Sequence, residues 1–218
     1  AAAAVAIENV SNAFGNYIDD YEWKNLSRLF TRDGLREAPG IGFYQSPDRI
    51  FEMQSTRYGP LASPRRSIPI HARLQPVIHF GADGQSAKLR TRLMQFNAAF
   101  SSSGGVMGGI YEDEVRLEEG KWRLSMVEID HYLQTRNYAD LWTKVPEGLG
   151  QQMLPRLDAL RALPPDRPLV GEVAAPFPAI GQMWFHYVNP VSGRRPAWMT
   201  PKNTAVRSAA SAGKENTP

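Results

Sequence analysis

Apolar side chains recur every three to four positions across residues 5–31, with Val5, Ile7, Val10, Phe14 and Ile18 marking one stripe and Trp23, Leu26 and Phe30 extending it. That spacing predicts a helix, interrupted at Asp19-Asp20, where Asp20 is suited to cap a second short helix that Gly34 would stop. A short strand over Leu35–Glu37 then meets the Pro39-Gly40 turn. Ser46-Pro47-Asp48 opens a third helix, a serine cap followed by proline in the first turn. After a Pro/Ser/Arg loop at 59–69, alternation with period two takes over. Strands are expected at Ile70–Phe80, Ala87–Phe96, Gly109–Leu117 and Trp122–Tyr132, broken by the Gly81–Gly84 turn, a Ser/Gly stretch at 101–105 and the Glu118-Glu119-Gly120 turn. Three helices followed by four long antiparallel strands make an α+β layout, with helices layered on one face of a curved sheet.

The alternation also sorts side chains by face. Tyr111, Asp113, Val115 and Leu117 share one side, and Glu112, Glu114, Arg116 and Glu118 share the other, so the charged set reads as the wet face and Asp113 as an acid among apolar neighbours. A carboxyl in that position is either a proton donor or acceptor of raised pKa, or a structural acid bonded to an amide or an arginine. Trp122, Leu124 and Met126 run on into Glu128 and Asp130 on the same count, while Val127 and Ile129 fall opposite, a face suited to burial against another subunit. Lys88, Arg90, Arg92 and Met94 share a side of their strand.

From about residue 146 the composition changes to proline with large aromatics, including Phe177, Trp184, Phe185 and Trp198. A short helix is expected near Gln151–Leu163, followed by an extended arm laid on its own domain or on a neighbour. The expected organisation is a domain over 1–145, an arm over 146–200 and a polar tail over 201–218.

Charge changes little once it is located. The chain of 218 residues has a formal charge of +3 and a pI near 9.2. Residues 194–218 hold five basic side chains against one acid, leaving 20 basic and 21 acidic side chains in the body. The basic surplus belongs to the tail, so the pI gives no basic face and nucleic acid is not an expected partner. No apolar run reaches the length of a membrane span, the opening AAAAVAIENV lacks the charged start of a secretory signal, and a cytoplasmic location is expected. With no cysteine and four scattered histidines (His71, His79, His131, His186), thiolate chemistry is excluded, and no metal or other cofactor is expected.

The runs IENVSNAFGNYIDDYEW, LSRLFTRDG, GFYQSPDRI, HARLQPVIHFGADGQSAKLRTR and GIYEDEVRLEEGKWRLS resemble, in order, a SnoaL-like protein of the nuclear transport factor 2-like superfamily, and PFPAI with FHYVNPVSGR continues the match. The resemblance implies a cone-shaped barrel of three N-terminal helices on a strongly bent sheet, enclosing a pocket. It implies either a cofactor-free isomerase, dehydratase, cyclase or lyase, or a binding protein without activity. Tyr17, His71 with Gln75, Arg90 and the Tyr111-Glu112 pair fall on family positions. Asp113 stands near the oxyanion-hole acid of ketosteroid isomerases, but their base and tyrosine fall on Ala38 and Phe14, so that isomerisation is not expected. Glu128 and Asp130 replace a histidine and a tyrosine of the subfamily, which implies a different reaction or a different ligand.

The resulting expectation is a cofactor-independent lyase or dehydratase acting by general acid–base catalysis on a hydroxylated aromatic small molecule. Its finest form is deformylation of a lignin-derived diarylpropane to a stilbene, by resemblance to the bacterial diarylpropane lyases. His71 and Glu128 are the expected acid and base, Arg90 and Tyr17 the groups stabilising negative charge, and Tyr44, Met94, Tyr111, Asp113 and Asp130 the substrate-binding set. A polyketide cyclase and a non-catalytic binding module remain alternatives, and a homodimer or homotrimer is expected.

Overall fold

The computed structural model describes residues 1–62, 65–99, 103–135, 158–169 and 183–198. Helix α1 (Ala2–Asp19) buries Ile7, Phe14 and Ile18 against the sheet, as its apolar spacing requires. Each such side chain contributes on the order of 1.5–3 kcal/mol by leaving water. Helix α2 (Trp23–Ser27) follows a tight turn in which Tyr21 takes φ 58°, and it ends well before Gly34. Strand β1 (Phe30–Ala38) already runs there, and β2 (Gly42–Gln45) folds back on it. Helix α3 (Pro47–Tyr58) starts as its sequence dictates: the Ser46 side chain accepts from the Arg49 amide, and Pro47 occupies the first turn.

The long strands β3 (Ser67–Phe80), β4 (Ser86–Ala99) and β5 (Ser103–Glu118) form an antiparallel meander. Part of the Ser/Gly stretch thus belongs to β5, which begins six residues before the expected Gly109. The expected last strand is two segments, β6 (Lys121–Val127) and β7 (Ile129–Gln134), separated at Glu128 and both paired with β5. The sheet runs β3-β4-β5-β6-β1-β2-β8, with β8 being Arg167–Pro168. Every pairing is antiparallel except β1 with β6. The helices cover its concave face, giving the α+β layout anticipated from the sequence.

Four irregularities bend the sheet, one of them in the β1–β6 pair between Phe30 and Leu35. The β3–β4 register slips between Leu74 and Val77, where Gln75 takes φ 53° ahead of Pro76. The β5–β6 register slips between Glu114 and Val115, and the β5–β7 register between Gly108 and Gly109. An extra residue on one strand of a pair accentuates the local twist and flips the parity of everything beyond it.

That parity decides several expected faces. Leu124, Val127 and Ile129 all belong to the main core cluster, so Val127 and Ile129 do not form an outward apolar face. Exposed apolar side chains lie instead at Ile68, Ile70 and Leu74 of β3 and Phe96 of β4. Glu112 is also not solvated: it is buried beneath residues 184–187 of the arm. There His186 Nδ1 lies 2.7 Å from Glu112 Oε2 and His186 Nε2 lies 3.1 Å from His79 Nδ1. Tyr187 stacks on His79, and Arg90 donates to the Trp184 carbonyl at 2.6 Å. This stretch of the arm therefore rests on its own sheet. Leu160 and Leu163 join the core, and Arg49 pairs with Asp166 at 3.2 Å. The helix expected over Gln151–Leu163 begins outside the described residues, as does the tail. Among the described residues, no helix is long and apolar enough to cross a membrane.

Candidate functional site

A cavity of about 660 Å³ lies between the helices and the concave face of the sheet, with His71 in its wall. The placement of His71 traces to Gly15. A Cβ at Gly15 would stand 2.6 Å from the His71 carbonyl oxygen, so only glycine lets α1 approach β3 this closely. One helical turn later comes Asp19, the last residue of α1, which meets His71 twice. Its carboxylate accepts the His71 backbone N–H at 3.0–3.1 Å, and its Oδ1 lies 2.5 Å from His71 Nδ1. A carboxylate is disfavoured at a helix C-terminus by about 0.3–1 kcal/mol. The bonds to His71 offset that cost and fix the ring. A carboxylate beside Nδ1 favours the tautomer that carries its proton there, and His71 itself lines the cavity.

Aromatic rings form much of the remaining wall. Tyr21, Trp23 and Tyr58 stand in succession, with ring centroids 5.0 Å and 5.7 Å apart, and Trp23 Nε1 donates to the Gly59 carbonyl at 2.7 Å. Tyr111 lines the cavity from the sheet side, and its burial pushes the phenol above the ordinary tyrosine range. His131 of β7 and Gln95 of β4 also reach the cavity. Three further polar lining residues, Arg36, Gln54 and Arg57, are almost wholly buried.

Of the residues singled out from the sequence, the structure brings His71 and Tyr111 together in this cavity. Asp113 lies beneath it. Its carboxylate is fully buried and ion-paired with Arg73, whose guanidinium sits 3.9 Å over the Tyr111 ring and also donates to Thr91 at 3.2 Å. Burial raises the Asp113 pKa to about 6, outweighing the lowering by Arg73. The arginine-bonded alternative describes this acid. Tyr44 is buried in the core, its hydroxyl donating to the Leu163 carbonyl at 2.6 Å, and Tyr17 packs against the core outside the cavity lining.

Arg90 and Met94 point to the opposite side of the sheet, because Leu89, Thr91 and Leu93 take the inward positions of β4. Arg90 pairs there with Glu112 under the arm. Gln75 is exposed and accepts from Arg92 at 2.9 Å. Glu128 and Asp130 are buried but do not line the cavity, since the slip between Glu114 and Val115 turns Val127, Ile129 and His131 inward in their place. Alternation read straight through a bulge assigns the wrong face to every residue after it.

The sequence reading missed Asp19, Arg36, Gln54, Arg57 and His131. A signal existed for two of them: Ile50, Met53, Gln54 and Arg57 fall on one helical stripe, so Gln54 and Arg57 occupy the buried face of α3. Among the described residues, no group of three or more His, Cys, Asp or Glu side chains is arranged to hold a metal ion.

Comparison with known proteins places this geometry. The chain resembles a protein of unknown function from Mycobacterium tuberculosis, at 16% identity and TM-score 0.56, over 74% of this chain and 96% of that one. It resembles a putative scytalone dehydratase from Novosphingobium aromaticivorans at 15% identity and TM-score 0.54, over 66% and 96%. A hexachlorocyclohexane dehydrochlorinase, LinA type 3, from Novosphingobium barchaimii gives 16% and 0.54, over 66% and 95%. At such identities the likeness is one of fold. The comparison with curated proteins found no match. A family model for the SnoaL-like domain matches residues 1–128, well over half of the chain. Together with three helices laid on a bent sheet around one cavity, that match makes the chain a member of the SnoaL-like domain family, within the nuclear transport factor 2-like superfamily.

Proposed function

We propose that the protein is a cofactor-independent lyase or dehydratase acting on a hydroxylated aromatic small molecule, with His71 as the proton-transfer group and Asp19 as the residue that orients it. The observation carrying this reading is the 2.5 Å contact between His71 Nδ1 and Asp19 Oδ1 at the wall of an aromatic-lined cavity. A base held in one tautomer by a carboxylate is the arrangement that general base catalysis needs, and a well-placed group contributes about 10²–10⁴-fold. His71 Nε2 takes a proton from the substrate, and the electron pair released forms a carbon–carbon double bond. The hydroxyl on the neighbouring carbon departs with the proton returned by the imidazolium, leaving as water. Dehydratase and dehydrochlorinase relatives of the same fold are consistent with an elimination of this type.

The finer reading is deformylation of a diarylpropane diol. Here Nε2 takes the proton of the primary hydroxyl, the adjacent C–C bond breaks to release formaldehyde, and its electron pair becomes the stilbene double bond as the benzylic hydroxyl leaves as water. The cavity volume suits a two-ring substrate, and Tyr21, Trp23 and Tyr58 offer faces for its rings. In this reading Asp19 takes the partnering role expected of Glu128.

The test is incubation with a panel of hydroxylated aromatic monomers and dimers without added cofactor, following alkene absorbance and formaldehyde. Turnover is expected, with His71→Asn and Asp19→Asn each slower by at least ~10². Tight binding across the panel without turnover would instead assign the chain to the non-catalytic members of its family. A His71→Asn protein at the wild-type rate would remove His71 from the mechanism.

A further inference from the structure

We propose that Arg36, Arg57 and Gln54 form an anion-binding subsite in the cavity, so that the molecule bound there carries a carboxylate or a comparably placed oxyanion. The inference rests on the reading of this cavity as the substrate site and adds to it the charge of the substrate.

Three arginines in the described structure are buried: Arg36, Arg57 and Arg73. Arg73 has the Asp113 carboxylate. Neither Arg36 nor Arg57 has a carboxylate within ion-pair distance among the described residues. Arg36 Nη1 donates to the Glu37 backbone carbonyl and its guanidinium lies 5.1 Å from the Phe14 ring centroid. Arg57 lies 4.9 Å over the Tyr58 ring. In both, Nε is buried without a hydrogen-bond partner. The Glu37 carboxylate, next in sequence to Arg36, accepts the Ile129 amide at 2.8 Å and offsets the Arg36 charge only weakly.

Burial makes the charged form of Arg36 less favourable, and Arg57 stands close enough to disfavour it further. Two guanidiniums of like charge buried within electrostatic reach of each other are costly unless an anion joins them. Gln54 reinforces the point. It is wholly buried, lines the same cavity, and neither its amide oxygen nor its amide nitrogen has a partner. Buried polar groups in native proteins are ordinarily satisfied, so three cavity-lining side chains with unpartnered buried polar atoms indicate a polar ligand. Guanidinium forks match the two oxygens of a carboxylate, and the Gln54 amide can donate to the same group or bond a neighbouring hydroxyl. The aromatic rings then hold the apolar part of the ligand and His71 meets its reacting end.

The experiment is calorimetric titration of the full chain at neutral pH with 4-phenylbenzoate and with the near-isosteric neutral 4-phenylbenzamide. The benzoate is expected to bind at least about 10-fold more tightly, as charge-assisted bonds in a desolvated site require. Arg57→Gln and Arg36→Gln should each cut that preference several-fold, Arg57→Lys should retain part of it, and Tyr44→Phe, in the core outside the cavity lining, should leave it intact. Equal affinity for the two probes in the wild-type protein overturns the proposal without relying on any variant to fold. So does the absence of saturable binding of either probe, or a preference that survives both arginine substitutions but disappears in His71→Asn. The preference is read from binding alone. A chain that discriminates the probes but turns over no member of the substrate panel refutes the catalytic reading and keeps the anion subsite.

Discussion

Replacing Gly15 by alanine tests whether the His71–Asp19 pair depends on the close approach of α1 to β3. The added Cβ would stand 2.6 Å from the His71 carbonyl oxygen, a backbone atom with no rotamer to relieve the contact. Reaching an ordinary contact of 3.4 Å requires the helix or the strand to move by about 0.8 Å. Overpacking of this kind costs about 1–3 kcal/mol, while alanine in place of glycine in a helix returns roughly 0.5–1. The net expectation is a loss of about 1–2 kcal/mol, or some 2–8 °C in Tm. The same displacement is passed along the helix to Asp19 one turn on, and misplacing a catalytic group by ~1 Å costs up to about 10²-fold in rate. Urea unfolding followed by tryptophan fluorescence reads the first effect. Turnover, together with the downfield proton resonance of the His71 Nδ1–H to Asp19 bond, reads the second. A Gly15→Ala protein that is as stable as wild type and keeps that resonance unshifted would refute the reasoning, because helix and strand would then have separated without cost.

Other residues give independent tests. The Asp113 pKa is raised to about 6 from 3.8, so the folded state holds this proton more tightly than the unfolded state does. Its contribution to stability is full below pH ~4 and is lost as pH rises through about 6, on the order of 3 kcal/mol. Stability measured from pH 4 to pH 7 should therefore fall in the wild type relative to Asp113→Asn, and parallel curves would contradict the assignment. Tyr44→Phe removes the hydroxyl bond to Leu163 and should cost about 1 kcal/mol in denaturant unfolding with turnover unchanged, since Tyr44 is core and not cavity wall. His186→Ala removes the imidazole that contacts the buried Glu112 carboxylate and loosens the arm above it. Limited proteolysis should then cut within residues 183–198 several-fold faster, with a stability loss of about 1–3 kcal/mol and no change in ligand binding at the cavity. Cleavage at the wild-type rate would mean the arm is held by other contacts.

Local rules account for what the sequence alone determined here. The apolar spacing of α1, the Ser46-Pro47 start of α3 and the alternation along β3, β4 and β5 each follow from nearest neighbours along the chain, and together they specify helices layered on an antiparallel meander. The inward positions of Tyr111 and Asp113 follow from the same alternation because no bulge intervenes between them. The location of the basic surplus in residues 194–218 is a property of composition. Tertiary structure decided the rest. The slip between Glu114 and Val115 exchanged Glu128 and Asp130 for Val127, Ile129 and His131 on the cavity side, and a bulge in one strand is set by its pairing with another. Asp19 meets His71 across 52 positions of sequence because Gly15 lets a helix touch a strand. Whether a buried arginine has a partner is also a question of space: Arg73 finds Asp113 two strands away, whereas Arg36 and Arg57 face the cavity, and that difference gives the cavity its charge.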